Sequence, residues 1–192
     1  MQKYKILFFT GAGISAASGI PTFQVQEGIR DKLTRDFANE HPEEYRETIR
    51  SMKKICDKAQ PNAAHLAIAK YNFPVITMNV DQLHTKAGST NVTEVHGVLP
   101  TMEELNEPDF PLMYDKLVLY GDIAPQYEVA TKMVKSLEYG NSFFIIVGTS
   151  FYTAISDVLH RLAKKQKAKV IIVNDNAVER VPKICESLKN LL

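Results

Sequence analysis

The stretch that decides the fold is KILFFTGAGISAASGIPTFQ, Lys5–Gln24. It begins with an apolar run, turns at Gly11–Gly13 and continues into a series of small residues. A Gly-x-Gly-x-x-Ala turn directly after a strand lets the backbone approach a pyrophosphate, and the helix start that follows offers free N–H groups. The same spacing also serves as a plain link between strand and helix, but the strand–turn–helix context favours dinucleotide or phosphate binding.

Apolar runs of this kind recur along the chain and are continuous rather than alternating, which is typical of a parallel sheet covered by helices on both faces. The predicted strands are Lys5–Thr10, Phe73–Thr77, Lys116–Tyr120, Ser142–Val147 and Lys169–Val173. Helical patterns lie between them at Pro42–Ala59, Pro61–Asn72, Pro125–Gly140 and Glu179–Leu192, with Pro182 expected near the start of the last. The alternation predicts an α/β fold, a Rossmann-like doubly wound parallel sheet.

We expect residues 1–192 to form a single domain. The least regular segment, residues 97–116, contains Pro100, Pro108 and Pro111 and is predicted to be a reduced loop insertion on one side of the sheet.

Composition narrows the class of protein. The net charge of +1 gives no support for nucleic-acid binding through a charged surface. No apolar run approaches the length that spans a bilayer, so no membrane partner is expected. The two cysteines, Cys56 and Cys185, imply no disulfide framework and favour a reducing, cytoplasmic location.

Small polar residues follow several predicted strands at their carboxyl ends, where open α/β sheets bind ligands. They are Asn79, Asp81, His96, Gly148, Thr149, Ser150, Asn174 and Asp175. Each has an ordinary alternative, because Asp81 or Ser150 could cap the helix that follows and a single histidine is more often structural. Taken together, they predict a cofactor crevice.

A dehydrogenase of this fold needs an acidic residue after its second strand to bind the ribose hydroxyls. Asp31 and Asp36 lie at the right distance along the chain, but in a polar stretch with a helical pattern. The dehydrogenase interpretation is therefore the weakest one.

The motifs GAGISAASGIPTF, MNVDQLHTKAG, VHG, GTS and IVND occur in this order and at intervals that resemble the sirtuins, the NAD-dependent protein lysine deacylases. PNAAHLAIAKY and LVLYGDIAP resemble further segments of that family. The resemblance covers nearly the whole chain, and the combination carries it rather than any single motif. It implies NAD as the cofactor and an acyl-lysine protein or peptide as the substrate.

The resemblance also implies roles for individual residues. His96 would be the general base for a ribose hydroxyl, since a histidine titrates near neutral pH. Asn79 would hold a water beside the ribose, and Phe23 would close over the ribose carbon. The implied cofactor-binding set is Gly11, Ala12, Gly13, Ser15, Ile20, Pro21, Thr22, Phe23, Gln24, Asn79, Val80, Asp81, His96, Gly148, Thr149, Ser150, Asn174 and Asp175. The implied substrate-binding set is Gly121, Asp122 and Thr153, in two segments that would sandwich the peptide as an added strand.

The sequence departs from the family pattern in ways that bear on function. Thr22–Gln24 stands where the family has Asp-Phe-Arg, which removes a cation from the cofactor loop, and Met78 replaces a glutamine. Residues 97–116 contain no cysteine or histidine, so we predict no zinc there. We expect apolar contacts to hold this segment instead, made by Leu99, Leu105, Phe110 and Leu112.

Three functions therefore stay open on the sequence. The leading one is an NAD-dependent lysine deacylase, which the presence of His96, Asn79 and Asp81 favours. The second is an NAD glycohydrolase or mono-ADP-ribosyltransferase, which the missing zinc module favours. The third is a non-catalytic module that binds NAD or ADP-ribose, although such a module has no need of a base at position 96.

Overall fold

The computed structural model describes residues 3–22, 28–108, 110 and 116–191, and its centre is a five-stranded parallel sheet. The strands are β1 (Ile6–Thr10), β2 (Val75–Thr77), β3 (Val92–Glu94), β4 (Phe143–Val147) and β5 (Lys169–Val173). Their order across the sheet is β3-β2-β1-β4-β5. The chain winds outward from β1 in one direction and then from β4 in the other, which confirms the doubly wound α/β prediction. The topological switch point lies between β1 and β4.

Seven α-helices occur within the described ranges: α1 (Arg35–Glu40), α2 (Pro42–Lys58), α3 (Ala63–Lys70), α4 (Leu83–Lys86), α5 (Gln126–Lys135), α6 (Ala154–Lys165) and α7 (Ala177–Leu188). Helix α2 begins at Pro42 with Glu43 and Glu44 in its first turn, as predicted. Helix α7 begins two residues earlier than predicted, so Pro182 lies inside the helix, at its sixth residue. The first four N–H groups of a helix have no intrahelical partner, so a proline among them costs no hydrogen bond. At the sixth residue, Pro182 removes one backbone hydrogen bond of the helix.

The predicted strand Lys116–Tyr120 is wrong. Leu117 forms an isolated antiparallel bridge with Gly97, and Tyr120 forms a parallel bridge with Thr34, but neither joins the sheet. The apolar residues of this segment pack instead into a cluster outside the sheet, where Leu117 and Leu119 are buried. The remaining position in the sheet belongs to the short strand β3.

The core divides into three clusters. Alternate residues of β1 point to opposite faces, so Phe8 joins a cluster beneath α3 and α7 while Phe9 joins one beneath α5 and α6. The third cluster lies around α2 and includes Leu99, Leu105 and Phe110, three of the contacts expected of residues 97–116. The fourth, Leu112, lies outside the described residues. No helix within the described ranges is long and apolar enough to cross a membrane.

Candidate active site

Two glycine turns meet at the switch point between β1 and β4. The Gly13 N–H donates to the Gly148 carbonyl at 2.9 Å. A Cβ added to Gly13 would lie 2.6 Å from the Gly148 Cα, and one added to Gly148 would lie 2.3 Å from the Ile14 nitrogen. Glycine at these positions is therefore required by the contact between the two turns, in addition to any contact with a ligand.

A cavity of about 920 Å³ opens at the carboxyl ends of the strands, a volume within the range of cofactor sites. It brings together thirteen of the sequence-predicted residues: Ala12, Gly13, Thr22, Asn79, Val80, His96, Gly121, Asp122, Gly148, Thr149, Ser150, Thr153 and Asn174. Six others do not line it: Gly11, Ser15, Ile20, Pro21, Asp81 and Asp175. Phe23 and Gln24 lie outside the described residues.

Asn79 is held against the first glycine turn and is almost fully buried. Its Nδ2 donates to the Gly11 carbonyl at 3.2 Å and to Ser15 Oγ at 3.1 Å. Both amide hydrogens are therefore donated to groups of the protein and not to the cavity. The amide oxygen, which accepts no hydrogen bond from the described residues, remains available to a donor in the cavity.

Ser15 and Asp81 form a supporting layer behind Asn79. Ser15 is fully buried, and its Oγ donates to Asp81 Oδ2 at 2.6 Å. Asp81 Oδ1 accepts the Leu83 N–H at 2.9 Å, so Asp81 also caps the start of α4. Both carboxylate oxygens thus have protein partners, and the contact of these two residues with the cavity is indirect, through Asn79.

Two buried histidines, His65 and His84, extend this network into the core. His65 Nδ1 accepts the Asn62 N–H at 3.4 Å, which leaves Nε2–H to donate to Ser15 Oγ at 3.4 Å. His84 Nε2 lies 3.0 Å from Thr10 Oγ1. Burial lowers the pKa of His65 to about 4 and that of His84 to about 3, so both are neutral at pH 7.

Asn62 ties the start of α3 to the first glycine turn. Its side chain accepts the Ala64 N–H at 3.0 Å and donates to the Ile14 carbonyl at 2.8 Å and to Ser18 Oγ at 3.0 Å. Sequence reasoning placed Asn62 only at a helix start. Its contact with the glycine turn had no signal in the sequence, because the two segments lie about fifty residues apart.

His96 follows β3 and has two hydrogen-bond partners. Its Nδ1 lies 3.1 Å from the Met78 carbonyl, and its Nε2 lies 2.8 Å from the Tyr127 hydroxyl. Because a carbonyl can only accept, Nδ1 carries the proton in the neutral ring, and Nε2 presents a lone pair. Burial lowers the pKa of His96, although the hydrogen bond to Met78 acts the other way. His96 can therefore accept a proton at Nε2 at neutral pH.

The loop after β4 is held by the side chain of Asn174. Thr149 N donates to Asn174 Oδ1 at 3.0 Å, and Asn174 Nδ2 donates back to the Thr149 carbonyl at 2.9 Å. Asp175, beside it, forms an exposed ion pair with Arg180. Asn174 thus shapes the wall of the cavity, and Asp175 belongs to the outer surface.

The segment around Gly121 and Asp122 is anchored by an ion pair that sequence reasoning missed. Arg35 binds Asp122 with two parallel hydrogen bonds, Nε to Oδ1 at 2.7 Å and Nη2 to Oδ2 at 2.6 Å. Burial alone would raise the pKa of Asp122, but Arg35 and the Leu119 N–H outweigh it and lower that pKa. The carboxylate is therefore charged and already paired.

The opposite wall carries Thr153, whose Oγ1 donates to Met78 Sδ at 3.1 Å. Nearby, the guanidinium of Arg30 stacks on the ring of Tyr152 at 4.0 Å. Arg30 is the one cationic side chain among the described residues that line the cavity, and Asp122 is the one carboxylate. Because Asp122 is paired, the unneutralised charge among the described residues of the cavity wall is positive.

No cluster of three or more metal-ligating side chains occurs in the part of the chain that the structure describes. Cys56 and Cys185 are both free and buried. Burial raises the pKa of each thiol to about 12, which keeps it protonated and makes it a poor metal ligand.

Comparison with known proteins places these features in a family context. Residues 11–107 match the model of the Sir2 family. The NAD-dependent protein deacylase 2 of Archaeoglobus fulgidus is 32% identical over 99% of this chain and 93% of its own length. The NAD-dependent protein deacylase of Aggregatibacter actinomycetemcomitans is 30% identical, covering 87% of this chain and 91% of its own. The NAD-dependent protein deacetylase of Thermotoga maritima is 32% identical over 86% of this chain and 79% of its own.

Solved structures agree with the sequence relatives. Sir2Tm bound to a propionylated peptide superposes with a TM-score of 0.78 at 26% identity, covering 95% of this chain and 92% of that one. A Sir2 variant with a p53 peptide and NAD superposes with a TM-score of 0.79 at the same identity and coverage. Each likeness therefore extends over almost the whole chain.

Proposed function

This chain belongs to the Sir2 family, and on that basis we propose that it is an NAD-dependent protein deacylase, which removes the acyl group from a lysine side chain. One observation of the structure carries this function: the two glycine turns, Asn79 and His96 line a single cavity at the switch point of the sheet. A dinucleotide site is expected at that point, and the base lies within it.

The residues present fit NAD. The crowded contact between Gly13 and Gly148 leaves no side chain between the turns and the cavity, so backbone can approach a phosphate there. Arg30 supplies a positive charge that no carboxylate among the described residues of the cavity wall neutralises. Thr149 and Asn174 would face the adenosine half, and the Asn79 amide oxygen would accept a hydrogen bond in the nicotinamide half.

When bound, NAD supplies the ribose carbon that releases nicotinamide and takes up the acyl oxygen. The chain's own contribution is positional and electrostatic. Asn79 is fixed by Gly11 and Ser15, and the neutral His96 carries no proton on Nε2, the atom that would receive the proton of a hydroxyl. Since His96 is largely removed from water, its Nε2 does not have to lose bound water before it accepts the proton.

An acyl-lysine peptide would lie between the segment that ends at Gly121 and Asp122 and the segment that contains Thr153. Tyr120, Ile123 and Tyr152 leave apolar surface exposed around this cleft, with Ile123 at 91% exposure. Exposed apolar surface gathered around one cleft is typical of sites that bind a protein or peptide partner. We infer that acyl groups from acetyl upward are candidates, because the curated relatives include both deacetylases and deacylases.

The test is mass spectrometry of NAD incubated with the protein, with and without an acetyl-lysine or propionyl-lysine peptide. Nicotinamide and O-acyl-ADP-ribose that form only with peptide would establish the deacylase. His96→Ala should abolish both products, whereas His41→Ala, at an exposed histidine between α1 and α2, should leave them unchanged. Plain ADP-ribose without peptide would instead identify an NAD glycohydrolase, and intact NAD in every sample would favour a binding module.

We also propose a cytoplasmic location and a metal-free segment at residues 97–116 that stands in place of the family's zinc module. Two buried, unpaired cysteines are stable in a reducing compartment and offer no disulfide. The buried side chains of Leu99, Leu105 and Phe110 make the apolar contacts that hold this segment in place of a zinc ion.

A further inference from the structure

The first turn of α5 places Tyr127 directly against His96. The Tyr127 hydroxyl lies 2.8 Å from His96 Nε2, and the two ring centroids are 5.8 Å apart at an angle of 50°. Tyr127 also packs against the apolar cluster beneath α5 and α6, and both residues line the cavity. The hydroxyl is therefore held in place by the packing of its own ring.

The direction of this hydrogen bond follows from the other side of the imidazole. Nδ1–H donates to the Met78 carbonyl, so Nε2 of the neutral ring can only accept. The Tyr127 O–H must be the donor. In the resting protein the atom that would act as the base thus has a fixed partner and a fixed orientation.

The bond must reverse once Nε2 takes up a proton. The imidazolium then has two N–H groups, and the Met78 carbonyl satisfies only the one on Nδ1. No carboxylate among the described residues pairs with His96, and a buried charge without a hydrogen-bond partner is costly. A tyrosine hydroxyl can rotate its hydrogen away and accept from Nε2–H, and a hydrogen bond to a charged group is about twice as strong as a neutral one.

We propose that Tyr127 is a positioning residue that acts through His96: its hydroxyl holds Nε2 toward the cavity and then accepts the hydrogen bond of the imidazolium. The Tyr127 O–H first turns away and frees the Nε2 lone pair, the proton then moves from a hydroxyl in the cavity to Nε2, and Tyr127 keeps its own proton throughout. The link to turnover rests on the proposed function, whereas the effect on His96 itself does not.

The other titratable groups around the cavity do not supply this acceptor. Tyr120 faces Tyr127, and burial raises the pKa of both, so both phenols remain protonated near neutral pH. Asp122 is occupied by Arg35, and Arg30 stacks on Tyr152. Among the described residues, the Tyr127 hydroxyl is thus the one side-chain group within hydrogen-bond distance of Nε2.

The test measures the protonation of His96 in the free protein by ¹⁵N NMR of the imidazole rings, with His96→Gln used for assignment. Tyr127→Phe should lower the pKa of His96 by about one unit, because the charged form loses its acceptor while the neutral form loses a weaker bond. Tyr139→Phe removes an exposed hydroxyl remote from this pair and should leave the pKa unchanged. An unchanged or raised pKa in Tyr127→Phe would overturn the proposal.

A second measurement connects this effect to turnover. In the peptide-dependent reaction, Tyr127→Phe should lower kcat about tenfold with little change in the KM for NAD, since the lost bond stabilises the protonated base rather than the bound ligand. A faster reaction in Tyr127→Phe would show that the hydroxyl merely blocks Nε2, and would overturn the proposal. If the wild type shows no NAD chemistry while the NMR shift is as expected, the proposed function fails and the assignment of the Tyr127–His96 pair stands.

Discussion

Gly13 and Gly148 touch backbone to backbone, with the Gly13 N–H 2.9 Å from the Gly148 oxygen. This contact joins the turn after β1 to the turn after β4 at the floor of the cavity. The glycine-rich motif is usually explained by its approach to a phosphate, but here the two turns already need glycine in order to approach each other. The lining of the cavity and the packing of the central strands thus depend on the same residues.

Gly148→Ala should therefore be strongly destabilising. Its φ of +64° already disfavours a side chain, and the new Cβ would lie 2.3 Å from the Ile14 nitrogen, a backbone atom that cannot move aside cheaply. The matched control is Gly140→Ala, where φ is +69° but no atom lies within 4 Å of the added Cβ. Gly140→Ala should lower the free energy of unfolding by about 1–2 kcal/mol, because of the left-handed backbone alone. Urea denaturation should show a clearly larger loss for Gly148→Ala, and equal losses would contradict the crowded contact.

Ser15→Ala tests the layer behind Asn79. The change removes the acceptor of Asn79 Nδ2 and the donor to Asp81 Oδ2, both in buried surroundings. We expect a loss of about 1–3 kcal/mol in the free energy of unfolding, since buried polar atoms are left unpaired. The KM for NAD should rise as well, because Asn79 loses one of its two anchors. Ser187→Ala, at an exposed serine that bonds only within its own helix, is the control for both measurements.

The sequence allowed the sheet to be predicted because four of its five strands are continuous apolar runs. β5 was predicted with its observed bounds, Lys169–Val173, and β1 and β4 to within one residue. The wrong prediction at Lys116–Tyr120 has a physical cause. An apolar run indicates that a segment is buried, but it does not indicate which element buries it. Burial against α2 and pairing in the sheet produce the same sequence pattern.

The site was predictable only in part for a related reason. The order of the motifs along the chain identified residues that line the cavity, such as Asn79 and His96. Partners brought together by folding, such as Tyr127 with His96 or Arg35 with Asp122, are 31 and 87 residues apart and share no local pattern. The resemblance implies that Ser15 binds the cofactor, and only the structure shows that its hydroxyl also supports Asn79.

Arg35→Lys should weaken peptide use more than NAD use. Lysine keeps the charge but cannot make the two parallel hydrogen bonds to Asp122, so the segment next to Gly121 loses its fixed position. We expect the KM for an acyl-lysine peptide to rise several-fold while the KM for NAD changes little. Arg161→Lys, in an exposed pair with Asp157 on α6, should alter neither constant. An equal rise in both constants would show that the Arg35–Asp122 pair supports the whole cavity.

Activity and folding should not depend on zinc. The segment at residues 97–116 has no cysteine or histidine, and the buried Leu105 and Phe110 hold its described part by apolar contacts. Protein purified without added metal should contain no stoichiometric zinc by elemental analysis, and EDTA should change neither its melting temperature nor its peptide-dependent turnover. Leu105→Ala should lower the melting temperature, because it opens a cavity in this cluster. Stoichiometric zinc together with EDTA sensitivity would contradict the prediction.

Stability should fall steeply with acid because of His65 and His84. Both are held neutral by burial, with pKa values of about 4 and about 3 against an ordinary value of 6.5, so the unfolded chain binds more protons below pH 6.5. Their contribution is complete above that pH and is lost as the pH falls toward the folded values. At pH 5 the loss is about 2 kcal/mol for each histidine. Urea denaturation at pH 7, 6 and 5 measures it: His84→Gln should flatten the pH dependence and His41→Gln should not, whereas equal slopes in all three proteins would rule out the buried histidines as the cause.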